Sequence, residues 1–534
     1  MAITPADLPT HPEQVVDKKN FMERVVPLYE RGVGDIELEA DLDTARSAIP
    51  AASAAPRDFS FIAPEIPQFI AENCVGCMDC VTECPDTAIL GKVMPKEKLE
   101  NALSVMTDDD RGSAQEDWAK TRKYWNAYEK KKKEPGYFGI FIDPSKCKGC
   151  AECVQVCDDQ ALKMIKKTDH NMPVIQKKFS HFQEVGPTPE DYINEKVLAD
   201  MMLRDNTLQY VGGAGSCAGC GEATALRMFI AATCFVHGSE NLGLIASTGC
   251  NTVYTSTYPY NPYNLPWSNS LFENGPTYAM GVRAKWDQQG WADKKLWVIG
   301  GDGAMLDIGF QSLSRMLMTN MDIKVIVLDT QVYSNTGGQA STSTFPGQNT
   351  KMSVHGKAIA GKTERRKELA QIVMAHPDVF VAQTTAAHVN HFYKAILRAN
   401  EFKGPAVINC FTTCQPEHGV GDHLAGERAR MAVDSRAFPL LTYDPEKGDR
   451  IRDRLDLKGN PLPDKDWYVN PKSKQKIDFV SFARGEGRFE KHFDREGNAS
   501  EAILIANEDR RKNWRMLQEM AGIDPEDPGE TDES

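Results

Sequence analysis

The sequence predicts an α/β protein, a doubly wound parallel-sheet domain over residues 206–440 preceded by a smaller α+β module over residues 58–176. Three observations carry that expectation. Short apolar runs (Leu242 to Ala246, Leu296 to Ile299, Ile323 to Leu328, Ala406 to Phe411) recur as strands, with helical segments between them. Gly300-Gly301-Asp302-Gly303 ends one run and Tyr333-Ser334-Asn335-Thr336-Gly337-Gly338 follows the next, so one βαβ unit opens a crevice at its carboxyl ends. Eight of the 14 cysteines lie in two quartets of matching rhythm and mark the smaller module.

Composition narrows the class. At 534 residues the chain is long enough for several cores. Its 62 basic against 75 acidic residues leave −13, which argues against a nucleic-acid surface. No run reaches a membrane span, and MAITPADLPTHPEQ lacks the basic and apolar regions of a signal peptide, so a cytoplasmic protein with no membrane partner is expected. In such a chain, cysteines at two-residue spacing read as metal ligands rather than disulfides.

In chain order, residues 1–57 read as an arm or linker, either lying on a partner chain or a disordered leader. Cys74, Cys77, Cys80 and Cys84-Pro85 form the C-x2-C-x2-C-x3-C-P run of a [4Fe–4S] site. Cys147, Cys150, Cys153 and Cys157 repeat it without the proline, since Asp158 follows. In two-cluster modules the fourth cysteine crosses to the other cluster. One cluster is therefore expected on Cys74, Cys77, Cys80 and Cys157, the other on Cys147, Cys150, Cys153 and Cys84. Zinc is the alternative, but its structural sites favour two Cys-x2-Cys pairs.

Between the quartets, residues 92–136 read as a charged helical insertion with Trp118, Tyr124, Trp125 and Tyr128 at helix-like intervals. It is either a docking helix for a redox partner or a solvated insertion packed by its aromatics. Residues 177–205 read as a linker, ending in a helix from about Glu195 to Arg204.

The glycine-flanked loop Gly215-Ser-Cys217-Ala-Gly-Cys220-Gly-Glu222 can wrap a bulky group closely. With Cys250, at the end of the Leu242 run, it makes an incomplete tetrad. The fourth thiolate can come from Cys234, Cys410 or Cys414; the first two sit in apolar elements, and Cys414 stands just past a strand. The crevice itself suits a diphosphate and a hard cation, with glycines close to phosphate and Asp302 as an oxygen ligand. His355, Lys357 and Lys362 are candidates for contact with an acidic substrate, a surface role being the alternative; His388, His391 and Lys394 fall on an outer helix without assignment. Val407 to Phe411 reads as the last strand, and 441–534 as a polar extension with an amphipathic helix from Ile503 to Met520 and an acidic tail.

Together the two quartets, Cys217-Ala-Gly-Cys220-Gly-Glu222 with Thr248-Gly-Cys250, and Gly301-Asp302-Gly303 followed by Asp329-Thr-Gln-Val-Tyr-Ser-Asn335-Thr-Gly-Gly338 closely resemble pyruvate:ferredoxin (flavodoxin) oxidoreductases, over roughly residues 58–500. The resemblance implies thiamine diphosphate, Mg²⁺ and three [4Fe–4S] clusters, in a ferredoxin-like domain followed by a thiamine-diphosphate-binding one. It assigns Cys217, Cys220, Cys250 and Cys414 to a cluster beside the thiamine, and Mg²⁺ to Asp302, the Thr330 hydroxyl and the Val332 carbonyl. Glu222, Cys250, Gly301, Asp302, Gly303, Ala304, Thr330, Gln331, Val332, Tyr333, Ser334 and Asn335 would line the cofactor site, with Glu222 and Asn335 at the chemistry.

The implied reaction is oxidative decarboxylation of pyruvate with coenzyme A to acetyl-CoA and CO₂, electrons passing to ferredoxin or flavodoxin. Asn269-Ser-Leu-Phe-Glu273 and Phe438 to Pro445 look like the pyruvate enzymes; 2-oxoglutarate or a branched-chain 2-oxoacid is the alternative substrate, and a polyferredoxin electron-transfer subunit the alternative class. The family's pyrimidine-binding domain and the domains that help bind coenzyme A have no counterpart in these 534 residues. The chain is therefore expected to be the β-type subunit of a split enzyme. An α-type chain would supply the rest, in a hetero-oligomer built on a dimer of heterodimers.

Overall fold

A computed structural model describes residues 17–40, 49–265, 267–356 and 360–524. The described part of the N-terminal arm lies on its own chain rather than apart from it. Phe21, Val25 and Val26 are buried against Tyr258 and Tyr260, and the amides of Ala52 and Ala54 bond the carbonyls of Tyr263 and Asn261 at 2.8 and 3.1 Å.

The smaller module is built on two antiparallel sheets. β1 (Glu65–Phe69) and β2 (Ile89–Pro95) flank the first cysteine run; β3 (Trp118–Ala119) and β4 (Gly136–Ile142) precede the second, and β5 (Leu162–Lys166) follows it. β1 pairs with β5, and the order β2-β4-β3 makes a three-stranded sheet. The insertion is only partly helical, with helices Lys96–Ser104 and Asp108–Gln115, and Trp118 falls on a strand. Its aromatics pack inward: Tyr124 stacks on Phe138 at 5.2 Å and Trp118 meets Phe141 edge-on at 5.3 Å. The expected linker opens inside a helix, Asn171–Glu184, whose Phe182 contacts Phe141; only Leu198–Met201 of the expected Glu195 to Arg204 helix forms.

The large domain contains one eight-stranded sheet. Its strands are β6 (Leu242–Ser247), β7 (Trp267–Ser270), β8 (Lys295–Gly301), β9 (Ile323–Asp329), β12 (Phe380–Thr385), β13 (Ala406–Phe411), β14 (Leu441–Tyr443) and β15 (Leu455–Asp456), with the ribbon β10 (Val354–His355) and β11 (Ala360–Gly361) outside it. The order is β15-β14-β12-β13-β9-β8-β6-β7, parallel from β7 to β12 and antiparallel at β14 and β15. The sheet thus continues past β13, and the extension after residue 440 supplies its far edge.

Alternating side chains explain the apolar runs. On β8, Trp297 and Ile299 face the core that holds helix α1 (Gly221–His237), while Leu296 and Val298 face a second core with Trp514 and Leu517. Further helices are α2 (Cys250–Thr255), α3 (Gly275–Gln288), α4 (Phe310–Leu317), α5 (Val389–Glu401), α6 (Gln415–His418), α7 (Ala425–Asp434) and α8 (Glu501–Met520). α5 is no outer helix, since Phe392 and Ile396 lie in the first core. Among the described residues no helix is long and apolar enough to cross a membrane.

Candidate active site and cysteine clusters

Register aligns the carboxyl ends of the strands. Ala246 pairs with Ile299, Gly301 with Leu328, and Asp329 with Phe411, so the loops that begin at Thr248, Asp302, Thr330 and Thr412 leave the sheet together. They enclose a cleft of about 260 Å³ lined by Glu222, Cys250, Gly301 to Ala304, Thr330 and Val332 to Asn335. All but one of the residues expected at the cofactor meet there. Thr248, Asn251, Phe272, Ile308 and Thr336 also line it and were not anticipated, although Asn251 is adjacent to Cys250.

The exception is Gln331. Its backbone is left-handed, φ 57°, and its carboxamide turns inward, donating to Asp329 Oδ1 at 3.1 Å and accepting from Arg488 Nη1 at 3.1 Å. Its side chain braces the loop from behind instead of facing the cleft.

Three oxygens converge on the floor. The Thr330 hydroxyl lies 3.3 Å from Asp302 Oδ1 and 3.0 Å from the Val332 carbonyl oxygen. Asp302 is 1% exposed, and burial followed by the nearby Asp329 pushes its carboxyl well up. Ser341 donates to it, and among the described residues no Lys or Arg forms an ion pair with it. A buried carboxylate beside a hydroxyl and a carbonyl, short of positive charge, suits a hard divalent cation. At Gly301 an added Cβ would meet nothing nearer than the Leu328 carbonyl at 3.8 Å, so it would enter the cleft. That open wall leaves the backbone accessible to a phosphate group.

Glu222, next to the Cys220 loop, lines the same cleft with Oε2 buried and no hydrogen bond to it within the usual distance among the described residues; burial pushes its carboxyl up to about 8, against the pull of the neighbouring Tyr254 hydroxyl. Asn335 stands exposed on the wall. His418 joins two walls: its Nε2–H donates to the Thr330 carbonyl at 2.8 Å, and its Nδ1 accepts from the Cys414 amide at 3.4 Å.

The structure brings twelve of the cysteines into three neighbourhoods. Cys157 shares a cavity wall with Cys74, Cys77 and Cys80. Cys84 interacts electrostatically with Cys147, Cys150 and Cys153. Cys250 does so with Cys217, Cys220 and Cys414, and of these four Cys250 lines the cleft. Cys234 and Cys410 are core residues on α1 and β13. Burial raises most of these thiols, Cys74 to about 12 and Cys414 to about 11, so they favour the protonated form unless a metal replaces the proton. Among the described residues no three His, Cys, Asp or Glu side chains close on one ion.

The other candidates do not reach the cleft. His355 is exposed on β10, and Lys362 Nζ donates to the carbonyls of Ser341 and Thr344 at 3.1 and 2.9 Å. Lys357 and the acidic tail 525–534 lie outside the described residues.

Comparison with known proteins agrees with this layout. Residues 247–410 match the family described as thiamine pyrophosphate enzyme, C-terminal TPP binding domain, and residues 140–163 match the 4Fe-4S binding domain. The parallel sheet is thus a thiamine-diphosphate-binding domain, and the smaller unit carries a ferredoxin-type cluster motif. The chain is 28% identical over 484 residues to the probable pyruvate-flavodoxin oxidoreductase of Escherichia coli, a match covering 75% of this chain and 38% of that protein. It is 25% identical over 551 residues to the pyruvate-flavodoxin oxidoreductase of Rhodospirillum rubrum, covering 88% and 42%. To the pyruvate synthase subunit PorB of Pyrococcus furiosus it is 32% identical over 314 residues, covering 57% of this chain and 92% of that subunit. The chain therefore spans well under half of the first two relatives and nearly all of the third.

Proposed function

The chain belongs to the pyruvate:ferredoxin (flavodoxin) oxidoreductase family, and on that premise we propose that it is the β-type subunit of a 2-oxoacid:ferredoxin oxidoreductase acting on pyruvate. The products would be acetyl-CoA and CO₂, with coenzyme A as co-substrate and ferredoxin or flavodoxin as electron acceptor. The observation that carries this reading is that Cys250, which stands within electrostatic reach of Cys217, Cys220 and Cys414, lines the same cleft as Asp302, Thr330 and Val332.

Thiamine diphosphate supplies a nucleophilic carbon and an electron sink, and iron–sulfur clusters supply one-electron acceptors. The chain's residues would divide the remaining work. Asp302, the Thr330 hydroxyl and the Val332 carbonyl would hold Mg²⁺, while Gly301 would give the diphosphate room and Gly303 lets the Tyr333 ring pack against the turn. Glu222 would use its buried Oε2 to bond the cofactor's heterocycle, and Asn335 would orient the substrate. Cys250 lines the cleft and would also belong to the thiolate quartet, so its loop would hold the cluster close to the cofactor. The quartets of Cys74 and Cys147 would carry electrons on towards the surface, giving three [4Fe–4S] clusters.

The near-complete match to the PorB subunit supports a partner α-type chain that brings the pyrimidine-binding domain. In the test, the anaerobically purified chain is assayed for iron, thiamine diphosphate and turnover, alone and with a separate α-type chain. Bound cofactors with turnover of pyruvate only in the pair are expected. Full turnover by the isolated chain would refute the split site, a preference for 2-oxoglutarate the assigned substrate, and reducible clusters without thiamine diphosphate the catalytic assignment.

A further inference from the structure

Arg227 belongs to neither cysteine run nor to the cleft, yet it connects them. It lies on α1, which starts directly after Cys220, and is 1% exposed. Seven residues of helix place it about 10 Å along the axis from Cys220. Its guanidinium leaves the large domain: Nη1 donates to the carbonyls of Cys84 at 3.1 Å and Thr82 at 3.3 Å, and to that of Val81. Thr224, one turn earlier on α1, donates to the Glu83 carbonyl at 3.3 Å, so the helix grips the whole turn that carries Cys84.

Arg227 has no ion pair of its own among the described residues. Nε and Nη2 are buried without hydrogen-bond partners there, and Asp86, the carboxylate that acts on it from the cysteine module, pairs with Lys148 at 2.6 Å. A guanidinium remains charged even when buried, and burying it is costly unless a negative group stands close. The Cys84 quartet is the group the position suits: four thiolates on an iron–sulfur cluster are negative, and each electron added makes them more so.

We propose that Arg227 sets the reduction potential of the cluster held by Cys84, Cys147, Cys150 and Cys153, its fixed positive charge favouring the reduced state. The proposal rests on the cluster assignment made above. The step it favours is transfer of one electron from the quartet at Cys220 to the quartet at Cys84. The first is oxidised, the second reduced, and no proton moves, because a guanidinium does not titrate in this range.

EPR-monitored redox titration of the anaerobically isolated holoprotein tests this, with iron and sulfide counted in every sample. Arg227→Gln keeps donors for the carbonyls and removes the charge; at fixed potential the reduced-to-oxidised ratio of one cluster should fall at least tenfold, a shift of 59 mV for one electron. Arg227→Lys keeps the charge, and the ratio should stay within about threefold of the parent. A Gln variant with full iron and an unmoved potential would overturn the proposal, as would a Lys variant shifted tenfold, which remains decisive if the Gln variant does not fold. A parent protein without four-iron signals would instead overturn the cluster assignment.

Discussion

His418 Nε2 lies 2.8 Å from the carbonyl oxygen of Thr330, while its other ring nitrogen accepts the amide of Cys414. One fully buried imidazole thus couples the loop proposed for the metal to the loop proposed for the proximal cluster. Burial, and then Arg488, hold it well below the ordinary histidine value, so it is neutral with its proton on Nε2. His418→Ala leaves both bonds unmade, at about 1–3 kcal/mol each. Mg²⁺-dependent thiamine diphosphate affinity, measured by calorimetry, should weaken at least tenfold, and iron content should fall with it. Loss of one without the other would separate the two loops.

Asp302→Asn should divide stability from ligand binding. The carboxyl is buried with Asp329 as its main charged neighbour, so removing its charge relieves repulsion in the free protein. Thermal stability without ligands should hold or rise, whereas Mg²⁺-dependent cofactor binding should drop by about a hundredfold or more. Thr330→Ala, which removes the hydroxyl linking Asp302 and Val332, should weaken binding less.

Cys414→Ser tests the fourth thiolate. The chain should lose about four irons of about twelve, the content of one of three clusters, and keep the EPR signals of the other two. Cys234→Ser and Cys410→Ser, in core positions, should retain all iron.

Arg488 reaches from the extension after β15 to Gln331 Oε1 at 3.1 Å and Gln348 Oε1 at 3.2 Å, and bonds Glu486 at 2.6 Å. Both charged groups are fully buried. Arg488→Met strands the Glu486 carboxylate and should cost about 3–5 kcal/mol in denaturant unfolding. Adding Glu486→Leu should recover a large part of that, leaving the deficit due to the unbraced Gln331.

Acid should unfold the protein partly through His388 and His391. Burial holds both at about 4, below the value near 6.5 of an unfolded chain. Around His388 stand His391 and Arg430; around His391, Lys394 and Asp456. Below pH 6.5 the unfolded chain binds more protons, so their stabilising contribution is complete above that pH and is lost as the pH falls towards 4. Each contributes a slope that approaches about 1.4 kcal/mol per pH unit below pH 6, or about 3 kcal/mol for the pair between pH 6.5 and 5. The double variant His388→Gln/His391→Gln should have a flatter stability profile in that window.

Much of the candidate site was legible in the sequence, because the groups concerned sit in short motifs at strand ends. Asp302, Thr330 and the cysteine runs are placed by local turns, and Cys414 was distinguishable from Cys410 because only the former lies beyond its strand. Tertiary structure decided what supports them. Gln331 reads as a wall residue until its left-handed backbone turns it inward. His418 finds Thr330 across 88 residues, Arg488 finds Gln331 across 157, and Arg227 finds Cys84 across 143. Burial makes those contacts necessary: each buried polar group needs a partner, and only the packed fold shows which distant group supplies it or, for Nε and Nη2 of Arg227, that none does among the described residues.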